Sequence, residues 1–270
     1  MTSDSQQVFF IVMPSFNQDR YLGEAIDSVL SQMNVDVFLR VVDGGSTDSS
    51  VEILKKYGKK ISWISEKDKG QVDAINKGIK FFKDKIKQEK INPRNVIFAY
   101  LNSDDFYYKS TTFEAVAQQF ASSQYQWCVG DAVIVNEDGK EIQSVIRWYK
   151  RVLRNLFGSF LFDILNPIPQ PATFLRWNAL EKTGLFNTTL NYTMDYEYWL
   201  RIKKIFGLPI FLNTPIAAFR IHSDSKGVRK FAEQFKEEYE VAKQSGAGNI
   251  ALLLHSFHSF FIVTIYKILK

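Results

Sequence analysis

Val8-Phe9-Phe10-Ile11-Val12-Met13-Pro14-Ser15-Phe16-Asn17 starts as an unbroken apolar run, Val8–Met13, which Pro14 ends. A strand with one wet face alternates apolar and polar positions. An unbroken run predicts a strand covered on both faces, as in a parallel sheet. The pattern repeats downstream. Tyr21, Leu22, Ala25, Ile26, Val29 and Leu30 recur at helical spacing, with Asn17 or Asp19 placed to cap that helix. Residues 37–42 form a second buried run that stops at Asp43-Gly44-Gly45. Ser46, Thr47 and Asp48 are capping types ahead of a helix over 49–57, which Gly58 ends. Residues 61–65 read as a third strand. Val72, Ile75, Ile79, Phe82 and Ile86 mark an amphipathic helix, and residues 96–101 a fourth buried strand that ends at Asn102-Ser103-Asp104-Asp105. This alternation predicts a parallel α/β sheet with short connections. Ligands of such sheets sit outside the carboxyl ends of the strands, which here carry Ser15-Phe16-Asn17, Asp43 and Asp104-Asp105.

The second half is less regular. Phe113, Val116, Ala117 and Phe120 mark a helix. Residues 127–135 and 141–146 read as a hairpin through Glu137-Asp138-Gly139-Lys140. Residues 148–165 mix basic and large apolar side chains, and Pro169-Gln170-Pro171 breaks the chain. A strand over 172–176, a helix over 195–206 closed by Gly207, and an extended stretch over 210–221 follow. A charged helix over 228–243, a linker at Ser245-Gly246-Ala247-Gly248 and an apolar helix over 250–269 complete the chain.

The 270 residues suit one α/β domain with an appendage, and 46% hydrophobic against 23% charged residues excludes wholesale disorder. Cys128 is the one cysteine, which excludes an internal disulfide and a cysteine-based zinc site. His222, His255 and His258 are too scattered for a zinc motif. The net charge of +5 is dispersed apart from Arg147, Lys150, Arg151 and Arg154, which argues against nucleic acid as partner. The first ten residues have no basic segment before a hydrophobic stretch, so a cytoplasmic location is expected.

Asp104-Asp105 is either a turn or a carboxylate pair for a hard divalent cation, Mg²⁺ or Mn²⁺, which takes one or two protein carboxylates and completes its shell with diphosphate oxygens. Asp43 with Gly44-Gly45 is either a tight turn or a ligand acceptor that the backbone can approach closely. Phe16 beside it would offer an aromatic bed for a nucleobase. Neither GxGxxG nor GxxxxGK[ST] follows the first strand, so hydride-transfer dinucleotide folds and P-loops lose support.

Several stretches in order resemble family 2 glycosyltransferases over about residues 8–226: the opening run through Asn17 with Tyr21-Leu22 and Ala25–Gln32, then Val41–Asp48, Asp68–Gln71 and Asp73–Gly78. Leu101–Asp105, Pro169–Phe174, Met194–Trp199 and Phe219–His222 continue the likeness. The resemblance implies a GT-A fold, a Rossmann-like mixed sheet flanked by helices. Residues 1–226 would form that domain and 227–270 a C-terminal helical extension. It also implies an inverting, metal-dependent transfer from a nucleotide-diphosphate sugar, UDP-linked by preference, to a saccharide or lipid-linked acceptor in polysaccharide or glycoconjugate synthesis. Ser15, Phe16 and Asn17 would then line the nucleoside pocket, and Asp43 would bond the base. Asp104 would face ribose or metal, Asp105 would bind Mn²⁺ or Mg²⁺, and His222 would complete the metal shell. Arg220 would meet phosphate, Gln170 would lie near the acceptor, and Asp195 would be the catalytic base, with Glu197 as fallback. Relatives often carry Arg-Asn where this chain has Ile75-Asn76. Ile75 cannot replace that donor-contacting arginine, so Asp68, Lys69 and Asp73 are expected to contact the donor sugar.

Residues 148–165 read equally as a basic, aromatic-rich helix on an anionic bilayer or as a flap over the acceptor. His255, Ser256, His258 and Ser259 interrupt residues 250–269, so an interfacial or packing helix is expected there rather than a spanning one. A nucleotidyltransferase would need a Gly-rich basic loop after the first strand, which is missing. A non-catalytic nucleotide-sugar-binding subunit is the remaining alternative, and it would have no need of Asp195.

Overall fold

The computed structural model describes residues 7–142, 144–222 and 231–268. Its strands are β1 (Val8–Ser15), β2 (Asp36–Asp43), β3 (Ser62–Ser65), β4 (Val96–Tyr100), β5 (Phe106–Tyr107), β6 (Trp127–Val135), β7 (Glu141–Ile142), β8 (Thr173–Arg176) and β9 (Ile210–Arg220). They join in one mixed sheet in the order β3-β2-β1-β4-β8-β6-β9-β5, with β7 against β6. The pairs β1·β2, β1·β4 and β2·β3 are parallel, and β8 enters antiparallel to β4.

The unbroken apolar run is explained by β1 being covered on both faces. Phe9 stacks on Phe113 with ring centroids 4.5 Å apart, on the face that takes Ile11 and Met13 into the main core with Leu22 and Ile26. Phe10, one residue on and so on the other face, stacks on Phe82 at 4.4 Å. Gly78 lets the helix Gln71–Gln88 lie close on Val12, because a Cβ there would fall 2.5 Å from Val12 Cγ1. Ile75 is fully buried in that helix, as its spacing implies.

Three local expectations change. β1 runs through Pro14 to Ser15, paired to Val42 and Asp43. β4 pairs with β1 only as far as Val12, so the missing proline N–H leaves no ladder on that side unfilled. The arm after the hairpin turn is only Glu141–Ile142, and the chain turns helical at Ser144. Neither Asn17 nor Asp19 caps the helix Asp19–Leu30, whose N-cap is Gln18 without a side-chain bond. Both side chains are used between loops, as described below.

The chain divides into two compact units: Met1–Val133 with Pro169–Phe186 and Pro209–Arg220, and Ile134–Ile168 with Asn187–Leu208 and Ile221–Lys270. The expected boundary at 226/227 falls outside the described residues. The C-terminal helices share their unit with two earlier segments, and the helix Asn249–Ile268 closes a core that the first of these supplies. Leu161, Ile164, Leu165 and Ala251 form that small core, and His255 Nδ1 lies 2.6 Å from the Ile164 carbonyl oxygen. Among the described residues no helix is long and apolar enough to cross a membrane.

Candidate active site

The first unit brings the ends of β1, β2 and β3 together, and its loops lock reciprocally. The Asn17 N–H donates to Ser46 Oγ (2.8 Å), while Asn17 Oδ1 accepts from the Thr47 N–H (2.9 Å). The Asp19 N–H donates to Asp48 Oδ2 (3.0 Å), and Asp19 Oδ2 accepts from the Ser49 N–H (3.3 Å). These bonds hold the two loops at fixed spacing and leave Phe16 exposed beside them. Ser15 Oγ is buried with no hydrogen-bond partner among the described residues, an acceptor and donor held in reserve at the same strand end.

Asp43 is fully buried, and its carboxylate accepts from the Gly45 and Ser46 N–H groups (3.1 and 2.9 Å) and from the Ser46 and Ser65 hydroxyls (2.5 and 2.6 Å). Four donors fill a carboxylate's acceptor positions, so Asp43 organises its own loop. Gly44 has no Cβ because Asp68 occupies that space: a Cβ would lie 2.9 Å from Asp68 Oδ2. Asp68 accepts from the Gly70 N–H, and Asp73 from the Lys69 N–H with Lys77 3.5 Å away. Both acids shape the turn into the helix Gln71–Gln88. Asn76 is equally structural, with its buried amide bonding both the N–H and the carbonyl of Phe186 (3.0 and 2.9 Å).

Beyond β4 the chain presents Asp104 and Asp105. Asp105 is buried, and its carboxylate accepts from the Arg220 N–H (2.9 Å) and from Asn102 Nδ2 (3.3 Å). Burial, followed by the negative charge of Asp104, pushes the Asp105 carboxyl well above its ordinary range. Arg220 Nε donates to the Asp104 carbonyl (2.9 Å), and its Nη2 pairs with Glu24 at 2.5 Å. The guanidinium lies over the Tyr21 ring at 4.6 Å. Arg220 is thus buried and fixes the Asp104–Asp105 corner from behind. Glu24, its partner, was unremarkable in the sequence because a lone acid on a helix face reads as solvated. A chain of amides adjoins the corner: Gln71 Nε2 donates to Asn102 Oδ1 (2.6 Å), Asn102 Nδ2 to Gln170 Oε1 (3.2 Å), and Gln170 Nε2 to the Tyr100 carbonyl (2.7 Å).

Among the described residues no three His, Cys, Asp or Glu side chains converge to cage a metal ion. Two adjacent carboxylates, one buried and repelled by the other, still fit a hard cation that draws its remaining oxygens from phosphate and water. The donor set at Asp104–Asp105 matches that need.

The second unit holds Asp195 in the first turn of the helix Met194–Phe206. Its carboxylate accepts from the Tyr196 N–H (2.7 Å) and from Asn166 Nδ2 (3.1 Å). Burial raises the Asp195 carboxyl, opposed by those two bonds and by the nearby Lys150 ammonium. Lys150 is itself pulled down by burial, with Glu238 and Asp195 opposing the shift. Glu197, in the same turn, is bonded through both oxygens to Arg201 (2.6 and 2.9 Å). Arg154 is buried and Lys150 half-buried; the side chain of Arg147 lies outside the described residues. His222 is buried and belongs to this unit, two positions after Arg220.

Comparison with known proteins places this geometry. The profile of Glycosyl transferase family 2 matches residues 10–184. An uncharacterized glycosyltransferase of Rickettsia typhi is 26% identical over 231 residues, which cover 85% of this chain and 68% of that protein. Its counterpart in Rickettsia prowazekii is 27% identical over 79% of this chain and 64% of its own length. The hyaluronan synthase of Pasteurella multocida is 25% identical over 87% of this chain, which spans only 22% of that protein. Among solved structures, S. aureus TarS in complex with UDP-GlcNAc superposes with TM-score 0.65 at 14% identity, covering 87% of this chain and 65% of that one. The Pyrobaculum calidifontis mannosyltransferase with GDP-Man and Mn²⁺ does so with TM-score 0.64 at 14% identity, covering 92% and 68%. The fold is therefore GT-A. A profile match over most of the chain, on top of that fold, means that this chain belongs to glycosyl transferase family 2.

Proposed function

We propose that this glycosyltransferase inverts configuration as it moves a sugar from a UDP-linked donor to a hydroxyl of a saccharide or lipid-linked acceptor, in polysaccharide or glycoconjugate synthesis. The observation that carries the reading is Asp195: a carboxylate held by Asn166 and the Tyr196 N–H, raised by burial, with no bidentate cation consuming it. A carboxyl group poised above its usual range is a competent general base near neutral pH. In the reaction the acceptor oxygen bonds to the anomeric carbon as the bond to the diphosphate breaks, and the acceptor proton passes to Asp195. The same negative charge supports oxocarbenium character at that carbon.

The donor's base stacks on Phe16 beside Ser15 and Asn17. It reaches Asp43 by displacing the Ser46 or Ser65 hydroxyl, which can rotate away without backbone movement. Asp105, with Asp104 beside it, would hold Mg²⁺ or Mn²⁺, which when bound offsets the charge growing on the departing diphosphate. Arg220 keeps that corner in place, and Asp68 and Asp73 border the donor sugar. UDP-GlcNAc on TarS, and Mn²⁺ on the mannosyltransferase, support this donor and metal class. The helix Asn249–Ile268 has no carboxylate and exposes Phe257, Phe260 and Phe261 on one side, which supports peripheral attachment to a lipid surface.

The decisive comparison is Asp195→Asn against Asp105→Asn. Asp195→Asn is expected to lose sugar transfer by about 10²–10⁴-fold and to keep thermal stabilisation by UDP with Mn²⁺, about 2.7 kcal/mol at a hundred times Kd. Asp105→Asn is expected to lose the metal-dependent part of that stabilisation. Undiminished transfer by Asp195→Asn would sink the reading.

A further inference from the structure

Glu237 lies in the middle of the helix Phe231–Gln244, in what reads from sequence as a charged appendage. Its carboxylate collects four donors from the segment that leads into Asp195. Oε1 accepts from the Asn191 N–H at 2.9 Å; Oε2 accepts from the Tyr192 N–H at 2.7 Å, the Thr193 N–H at 2.9 Å and the Thr193 hydroxyl at 3.0 Å. Three successive backbone N–H groups converging on one carboxylate form an anion nest, occupied here by a side chain of the same unit. Thr193 is the N-cap residue of the helix that carries Asp195, yet its side chain makes no capping bond. The hydroxyl that would ordinarily cap the helix is turned to Glu237 instead. The neighbouring residues on both sides of the latch are buried: Thr193 and Met194 before Asp195, and Glu238 after Glu237.

The geometry points to Glu237 as a positioning residue for Asp195: it fixes residues 191–193, and so the start of the Asp195 helix, in the register that aims the base. The inference rests on the proposed role of Asp195. Charge-assisted bonds are about twice as strong as neutral ones, and four on one group define the position of a loop end that has no other cap. A general base must sit within hydrogen-bond reach of the acceptor hydroxyl, and displacement of about 1 Å costs about 10²-fold in rate. A loosened latch therefore lowers turnover without touching the donor residues.

The test measures kcat, donor KM and UDP–Mn²⁺ binding stoichiometry on the full chain for Glu237→Gln, Glu237→Ala and Thr193→Val, with Asp195→Asn alongside. Glu237→Gln keeps shape and one acceptor and is the variant expected to fold normally. It should lower kcat per nucleotide-binding site about tenfold, and Glu237→Ala about a hundredfold, with donor KM and binding stoichiometry unchanged. Thr193→Val, which removes one of the four donors, should fall less than Glu237→Gln. A purely structural role would lower binding stoichiometry and activity together and leave kcat per site intact, which would overturn the proposal. So would full kcat in Glu237→Ala while Asp195→Asn is inactive. Activity retained in Asp195→Asn would instead overturn the base assignment itself.

Discussion

Glu238, the next residue after the latch, is where pH enters stability. Burial pushes its carboxyl up to about 7, with Gln234 and Lys150 opposing the rise and Asp195 and Glu237 adding to it. An unfolded glutamate titrates near 4.3, so between about pH 4.3 and 7 the folded chain binds more protons than the unfolded one. Stability therefore falls as pH rises through that window. Glu238→Gln removes the group, and the expected outcome is a flatter profile, by about 1–3 kcal/mol across the window. Urea melts of both proteins at pH 5 and pH 8 check it: an equal loss in both would mean another group carries the slope. The same residue-scale view separates the acids that look alike in sequence. Glu197 is neutralised by Arg201, whereas Asp195 keeps acceptor capacity.

At the scale of elements, the contact of the helix Gln71–Gln88 with β1 depends on a single missing methyl group. Replacing Gly78 by Ala improves helix propensity by about 1 kcal/mol. The new Cβ, however, falls 2.5 and 2.6 Å from the two Val12 methyls. Val12 is buried and β-branched, so it has little rotamer freedom with which to yield. Overpacking of this kind costs about 1–3 kcal/mol and outweighs the propensity gain. Gly78→Ala should lower Tm, and adding Val12→Ala should restore part of the loss; a Gly78→Ala protein as stable as the parent would mean the helix can slide. The paired loops after β1 and β2 follow the same logic. Asn17 and Asp19 were legible as polar residues at a helix start, but their partners lie about thirty positions away in sequence.

For the whole molecule, two compact units carry different parts of the proposed chemistry: the nucleotide-side loops and the Asp104–Asp105 corner in one, Asp195 and its support in the other. The second unit also ends in the helix that bears Phe257, Phe260 and Phe261, spaced three and four apart and each more than 60% exposed. Its inner side is anchored by Ala251 and His255. Changing the three phenylalanines to Ser should leave the fold and UDP binding intact and reduce co-flotation with phospholipid vesicles. Attachment through apolar side chains should also survive high salt. If the variant floats as well as the parent, the face does not meet lipid; if it only changes from dimer to monomer in sedimentation, a second copy of the chain covers it.

The residues by themselves determined the architecture of the first half. A strand with no polar position from Val8 to Met13 has to be covered on both faces. The strand ends then follow to within about two residues from where the apolar runs stop, at Pro14, Asp43 and Asn102, because periodicity and turn chemistry are local properties. Tertiary structure decided which polar groups are spent and which are available. Asp43, Asp105, Asp195 and Glu237 are the same functional group, and their sequence neighbours do not say that one is filled by its own loop and another raised by burial. Nor do they say that the Glu237 carboxylate reaches residues 44 to 46 positions upstream. Charge belongs to a residue, but desolvation and hydrogen-bond partners belong to the fold.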